Sequence, residues 1–365
     1  MKKYKLTNET IVHFGFTLYR IEALMDFSDV KAGDKGGFVQ SENNLSQLCN
    51  AWVYGNAKVY GNAKVYDNAK VFGNASVFCD AKVFGNAMVY FDAKVCGDAE
   101  VSDNAFVCGY AEVYDNSEVC GNAKVYDNSE VCGNAKVYGD AEVYDNAFVC
   151  GYAKVYDNSE VCGNAKVYGD AEVYDNAFVC GYAEVYDNSE VCGNAEVCGD
   201  AGVYGNAFVC GYAEVYDNSE VCGNAKVYGN AKVYDNAKVF GYAEVYDNSE
   251  VCGNAEVCGD AGVYGNAFVC DYVKVRGDAD VYGKAEVRGD AKVYKNSDYI
   301  VFKNWWSSGR YFTWTRSNNM FKVGCFYGNG EELIKKAYAD SEESGREYER
   351  VVRYVESILA DELNK

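Results

Sequence analysis

Apolar residues recur at alternate positions along most of this chain, and a pair of turn-forming residues interrupts them every six. In VYGNAKVYGNAKVYDNAKV, residues 53 to 71, valine returns at each sixth position. The rule runs unbroken from Val53 to Val293, 41 valines in all, and alanine or serine stands two residues before each except Val275, where Val273 takes that slot. Within one repeat, Ala/Ser and Val fall on one face while the residues between and after them fall on the other, the period-2 signature of a strand. Gly or Asp and then Asn or Asp follow, types that tolerate left-handed backbone and mark a corner. Six residues therefore predict one short strand and one bend. A helix is excluded, because a six-residue repeat would drift around its 3.6-residue cylinder.

Strand-plus-corner sides bury their valines by coiling. Three sides make an 18-residue turn, and successive turns pair at about 4.8 Å, which predicts a rod about 65 Å long with about 14 triangular turns. Each valine then stacks on the valine 18 residues away and contributes about 1.5–3 kcal/mol by burial. The pattern Val-x-Gly/Asp-Asn/Asp-Ala-x resembles the hexapeptide repeat of left-handed parallel β-helices. The left-handed sense is implied by that resemblance and not by the period. Copies such as GYAEVYDNSEVCGNA at 181, 211 and 241 recur every 30 residues, which is not a multiple of 18, so they face different ways. The expected fold is an all-β solenoid over residues 45–300, with an N-terminal β cap over 1–44 and a C-terminal α+β head over 301–365.

The ends depart from the repeat. KYKLT and TIVHFGFTLYRIEAL predict strands, and a cap is required because an open coil end exposes unpaired backbone. After Val293 the next valine slot holds Tyr299. Aromatic strands follow, with turns at Ser307-Ser308-Gly309 and Ser317-Asn318-Asn319. Two helices follow them, with a break near Ser344-Gly345 and an apolar stripe of Val351, Val352, Val355, Ile358 and Leu359. The ends, GGFVQSENNLS and SNNMFKVGCFYGNGEELIKKAYADSEESGREYERVV, resemble uncharacterised phage-encoded hexapeptide-repeat proteins.

Composition refines this picture. With 49% hydrophobic residues the chain can fill a long core despite its low complexity. Nothing reaches the length of a membrane span, and the N-terminus lacks a secretory pattern, so a cytoplasmic protein is expected. Fourteen of the 17 cysteines directly follow a repeat valine, in a slot that elsewhere takes tyrosine. They are expected to be free thiols, as in a reducing compartment. Rows at 18-residue spacing nevertheless put Cys162, Cys180 and Cys198, Cys132 and Cys150, Cys192 and Cys210, and Cys252 and Cys270 within disulfide reach.

Candidate chemistry is sparse. The hexapeptide acyltransferases this repeat resembles use a histidine base, whereas the only histidine, His13, lies before the coils and reads as structural. Cys325 precedes a helix start, and Gly328-Asn329-Gly330 reads as a turn entering that helix. No catalytic, cofactor or metal residues are expected.

The net charge of −21 falls wholly on the coils. Eleven acidic residues and no basic one lie between Lys166 and Lys226: Asp170, Glu172, Asp175, Glu184, Asp187, Glu190, Glu196, Asp200, Glu214, Asp217 and Glu220. Such a surface repels nucleic acid. The leading expectation is a non-enzymatic scaffold or protein-binding module, capable of self-association. It would bind an unidentified protein through this acidic surface or through a head surface of Trp305, Trp306, Arg310, Trp314 and Arg316. An acidic decoy for a host nucleic-acid-binding protein is the alternative, and an acyltransferase-like enzyme the second.

Overall fold

The computed structural model describes residues 2–363 and is a parallel β-solenoid with an antiparallel region at its N-terminus and a small strand-and-helix region at its C-terminus. The chain divides into two compact units, Met1–Asn206 and Ala207–Lys365. In both, most sides are two-residue strands ending on the repeat valine, three to a turn and about 14 turns in all. No helix among the described residues is long and apolar enough to cross a membrane.

Within the first unit the coil strands pair in parallel at 18-residue spacing: Val53 with Val71, Val59 with Val77, Val65 with Val83. The repeat valines are 0% exposed. Where serine replaces the alanine, as at Ser117, it is equally buried, and its hydroxyl lies 2.7 Å from the Tyr114 carbonyl oxygen. The first corner residue adopts the left-handed region, for example Gly97 at φ +67° and Asp115 at φ +58°. A Cβ on Gly97 would lie 2.7 Å from the Asp115 backbone nitrogen, so stacked corners leave almost no room there.

Hydrogen bonding gives the coil a polarity that dictates its ends. Backbone N–H groups donate forward, as from Lys58 to the Ala75 carbonyl at 2.9 Å. The first turn is therefore left with carbonyls to satisfy and the last with N–H groups. The N-terminal region meets the first need with donors. Lys3, 3% exposed, places its ammonium 2.8 Å from the Ala51 carbonyl. Asn44 donates to the Ala63 carbonyl at 2.9 Å, and the Tyr4 hydroxyl to the Leu45 carbonyl at 2.7 Å. Burial holds the Lys3 ammonium down at about 8.

The strands behind these contacts are Tyr4–His13, Phe16–Ala23 and Lys35–Val39. The first two form an antiparallel hairpin, and the third pairs with Phe16–Ala23 on one side and in parallel with Lys58–Val59 on the other.

In the second unit the same register continues, with Val209 opposite Val227 and Val275 opposite Val293. Its last turn is closed by acceptors. Glu286 N–H donates to Thr313 Oγ1 at 2.8 Å, Lys292 N–H to Ser317 Oγ at 2.5 Å, and Asp280 N–H to Asn296 Oδ1 at 2.6 Å. A four-stranded antiparallel sheet follows, Tyr299–Lys303, Tyr311–Thr315, Met320–Val323 and Phe326–Gly328. Helices α1 (Gly330–Asp340) and α2 (Glu342–Leu363) pack on it around Phe312, Trp314, Phe321, Leu333, Val352 and Val355.

Two expectations need correcting. The helices separate at Ser341, in extended backbone, and not at Ser344-Gly345. Gly345 lies inside α2, where a Cβ would come within 2.2 Å of the Tyr338 ring, so glycine there permits close packing of the two helices. And Cys252 and Cys270, one of the rows within disulfide reach, have Cα atoms 4.6 Å apart and form a disulfide, where free thiols were the leading expectation. Direct stacking of neighbouring strands brings this pair inside bonding range. Cys132, Cys162 and Cys258 are buried free thiols.

Candidate functional site

The outward slots on most turns of the first unit occupy one another. Tyr126 and Tyr144 stack at 5.0 Å, and Tyr168 and Tyr186 at 4.9 Å, with rings within 4° of parallel. Lys124 pairs with Glu142 at 2.6 Å, and the Tyr126 hydroxyl donates to the same carboxylate at 2.9 Å. Asn104 donates to Asn122 at 3.1 Å along a corner. Burial, and then the acceptor carboxylates, push the ladder phenols up, Tyr168 to about 12.

This pattern breaks around Ser76. The slot before each repeat valine holds a long side chain throughout the first unit except at Ser76 and Gly202. The tip of the hairpin, His13 to Phe16, leans over that gap. His13 meets Tyr60 edge-on at 5.5 Å, Phe16 lies 5.4 Å from the same ring, and Tyr60 stacks on Phe78 at 5.1 Å. The result is a groove of about 830 Å³ with an aromatic floor and a far rim of Lys94, Tyr110 and Glu112. Phe14 is 84% and Phe16 39% exposed at its edge.

Electrostatics and backbone set the groove apart. Lys58 lines it and has no carboxylate partner among the described residues, while Lys94 is held by Glu112 at 2.5 Å. Burial, and then the charge of Lys58, hold His13 below the usual imidazole range, so it is neutral at pH 7. Phe14 at the hairpin tip (φ +46°) and Cys79 at a corner (φ +58°) line the groove in the left-handed region. Phe91, at another corner, adopts the same backbone region at φ +60°. Glycine or aspartate fills that corner slot almost everywhere else, and bulky residues there carry strain that clusters at functional positions.

The acidic residues singled out in the sequence are not brought together. In the first unit they are spread over three faces, and several are engaged. Glu172 holds Lys154 at 2.6 Å, and Glu184 holds Lys166 at 2.8 Å. Glu190 accepts from the Tyr174 hydroxyl at 3.0 Å. Asp175 and Asp187 accept backbone N–H groups from Gly193 and Gly205 at the corners. Asp170, Glu196 and Asp200 are exposed. In the second unit Glu214 holds Lys232 and Glu220 holds Lys238, and Asp217 is exposed.

The head residues also separate. Trp314 is fully buried, with its indole N–H on Asn319 Oδ1 at 2.9 Å. Trp306 packs edge-on to Tyr348 at 5.0 Å. Arg316 lies over the Trp314 ring and 3.9 Å from Asp298. Trp305 is 71% exposed, and Arg310 is exposed beside Lys284 and Arg288.

At the entrance to α1, Asn329 and Glu332 cap each other's backbone N–H groups. The turn after the exposed Cys325 is thereby occupied by its own side chains.

The groove escaped the sequence reading because His13 and Tyr60 meet only through folding. Its available signals were the short side chain at Ser76 and the corner residues Cys79 and Phe91. No protein-family model and no curated protein sequence matches this chain.

Proposed function

We propose that the protein is a non-catalytic binding scaffold whose coils present the aromatic groove beside Ser76 to a protein partner. The observation that carries this reading is an exposed apolar rim, Phe14 and Phe16, set against the stacked Tyr60 and Phe78 rings, a combination that the rest of the ladder does not offer. Exposed apolar surface of this kind marks interaction sites. The occupant is a segment with an aromatic or branched aliphatic side chain for the Tyr60–Phe78 floor and a carboxylate for Lys58. The charge argument favours it, because Lys58 lacks a carboxylate partner in a chain of net charge −21. Kinship with hexapeptide-repeat β-helices, including the left-handed sense and the phage-like ends, belongs to this proposal on the strength of the sequence resemblance. An acidic decoy is supported less, because four of its eleven carboxylates hold lysines.

The test places a photo-crosslinking residue at position 14 and, as a control, at the exposed corner position 152. A partner captured only from position 14 is purified and titrated against the wild-type chain and against Ser76→Lys, which restores the repeat and fills the groove. The reading requires binding at least about tenfold weaker for Ser76→Lys, the scale of a lost anchor residue. Equal affinity for the two chains overturns it.

A further inference from the structure

We propose that the second unit carries a binding cleft for a small phosphorylated anion, independent of the aromatic groove. The cleft, about 570 Å³, opens between the last turns and the loops of the head sheet. Three cations line it, Lys284, Arg288 and Arg310, and the Lys303 ammonium lies over the ring of Tyr311, another lining residue. None has a carboxylate partner among the described residues. The carboxylate that lines the cleft, Glu286, faces Lys322 at 3.4 Å.

The arrangement runs against the rest of the molecule. The chain carries 55 acidic residues against 34 basic ones, and most lysines on the middle turns find a glutamate one turn away, as Lys226 finds Glu244. Here the cations converge instead. The Lys284 and Lys303 ammonium groups lie 5.1 and 5.7 Å from the centroid of one ring, Tyr311. The Arg288 guanidinium lies 4.4 Å over Phe268, and its Nε is buried without a hydrogen-bond partner. Like charges lining one cleft repel, and an anion bound there would relieve that repulsion.

The donor set selects the anion. Two guanidinium groups match tetrahedral oxyanions through paired N–H donors, and lysines add point charge. A single carboxylate would leave most of the three lining charges uncompensated, whereas a phosphate or pyrophosphate group would balance them. The volume is in the range of small-ligand sites. The ligand class is therefore a small molecule bearing one or two phosphate groups.

The full chain is titrated calorimetrically with sodium pyrophosphate at fixed ionic strength. Saturable binding with Kd below about 1 mM is expected, as is a rise in melting temperature with ligand concentration. Arg288→Gln combined with Arg310→Gln weakens binding at least about tenfold, the loss expected for charge-assisted bonds. Arg346→Gln on α2 leaves it unchanged. Because Arg288 packs on Phe268, the exposed pair Lys284→Gln and Arg310→Gln is a second variant that spares that contact, with the same loss expected. Absence of saturable pyrophosphate binding, or equal binding by wild type and both variants, overturns the proposal. So does tight binding of a single-stranded oligonucleotide, or salt-sensitive self-association, without competition by pyrophosphate.

Discussion

The turns around Val149 and the turns around Val77 share one interior and differ outside. Both valines are 0% exposed, and both pair with valines 18 residues away. Around Val149 the neighbouring outward slots hold long side chains that stack or pair along the coil. Around Val77 the slot holds Ser76, a hairpin covers the gap, and two corners carry Cys79 and Phe91 in left-handed backbone. The uniform core leaves the outside free to vary, so recognition is to be sought where the outer pattern is broken.

The largest effect tests whether the two interiors are equivalent. Val149→Asp and Val77→Asp each bury a carboxylate among valines and alanines, and each is expected to cost more than about 4 kcal/mol. Because neighbouring turns carry most of the interaction in a solenoid, the loss is local. Hydrogen exchange of the flanking strands is the measurement, Glu130–Val131 and Lys166–Val167 for the first variant. A much smaller loss at Val77 would mean that the groove sits on a slack core, and the equivalence would fail.

High pH separates the regions next. The ladder phenols titrate late because burial, and then glutamate acceptors, favour their neutral form, with Tyr168 and Tyr228 raised to about 12. Tyr60 under the hairpin is raised to about 12 by burial first. A folded-state pKa above the unfolded value of about 10 contributes stability that is complete below pH 10 and is lost as pH rises toward 12. Tyrosinate absorbance should therefore lag behind that of the free side chain and then rise together with unfolding. Titration of the ladder tyrosines near pH 10 in a still-folded chain would show that the stacked rings are solvated.

Gly345→Ala carries the comparison into the head. In an exposed helix this change gains about 1 kcal/mol. Here the added Cβ meets the Tyr338 ring, and a loss of about 1–3 kcal/mol in head stability is expected from overpacking. A gain in a chemical melt would show that α1 and α2 are not held at this spacing.

Much of this was legible in the sequence and some was not, for identifiable reasons. The three-sided coil and its valine column follow from a period of two within each side and a corner every six residues. The caps were foreseeable in need, though not in chemistry. That Lys3 and Asn44 donate at one end and Thr313 and Ser317 accept at the other follows from the forward direction of the N–H groups, which needs coordinates. Gly345 read as a helix break because glycine often ends helices, whereas its role is set by a side chain seven residues earlier. The acidic block was counted along the chain, but charge in a coil is neutralised across it. Lys154 lies outside the block in sequence and beside Glu172 in space. The groove depends on a hairpin folding back on Tyr60, a contact with no local signature.

The smallest effects sharpen the comparison most. Lys154→Met removes the partner of Glu172 in a pair 43% and 30% exposed. Solvent screening limits such a pair to about 0.2–1 kcal/mol. Lys154 lowers the Glu172 pKa, chiefly by its hydrogen bond, so the contribution is present at neutral pH and lost as pH falls through the depressed value. Ser76→Lys should change stability by less than about 0.5 kcal/mol, because it restores the residue type found at Lys58 and Lys94 on the adjacent turns. Ladder and groove variants would then look alike in a denaturant melt and part only in binding. If Ser76→Lys instead stabilises the chain by more than 1 kcal/mol, the gap is a tolerated defect that the hairpin happens to cover. A neutral melt with lost binding means that the short side chain is retained for what enters the groove.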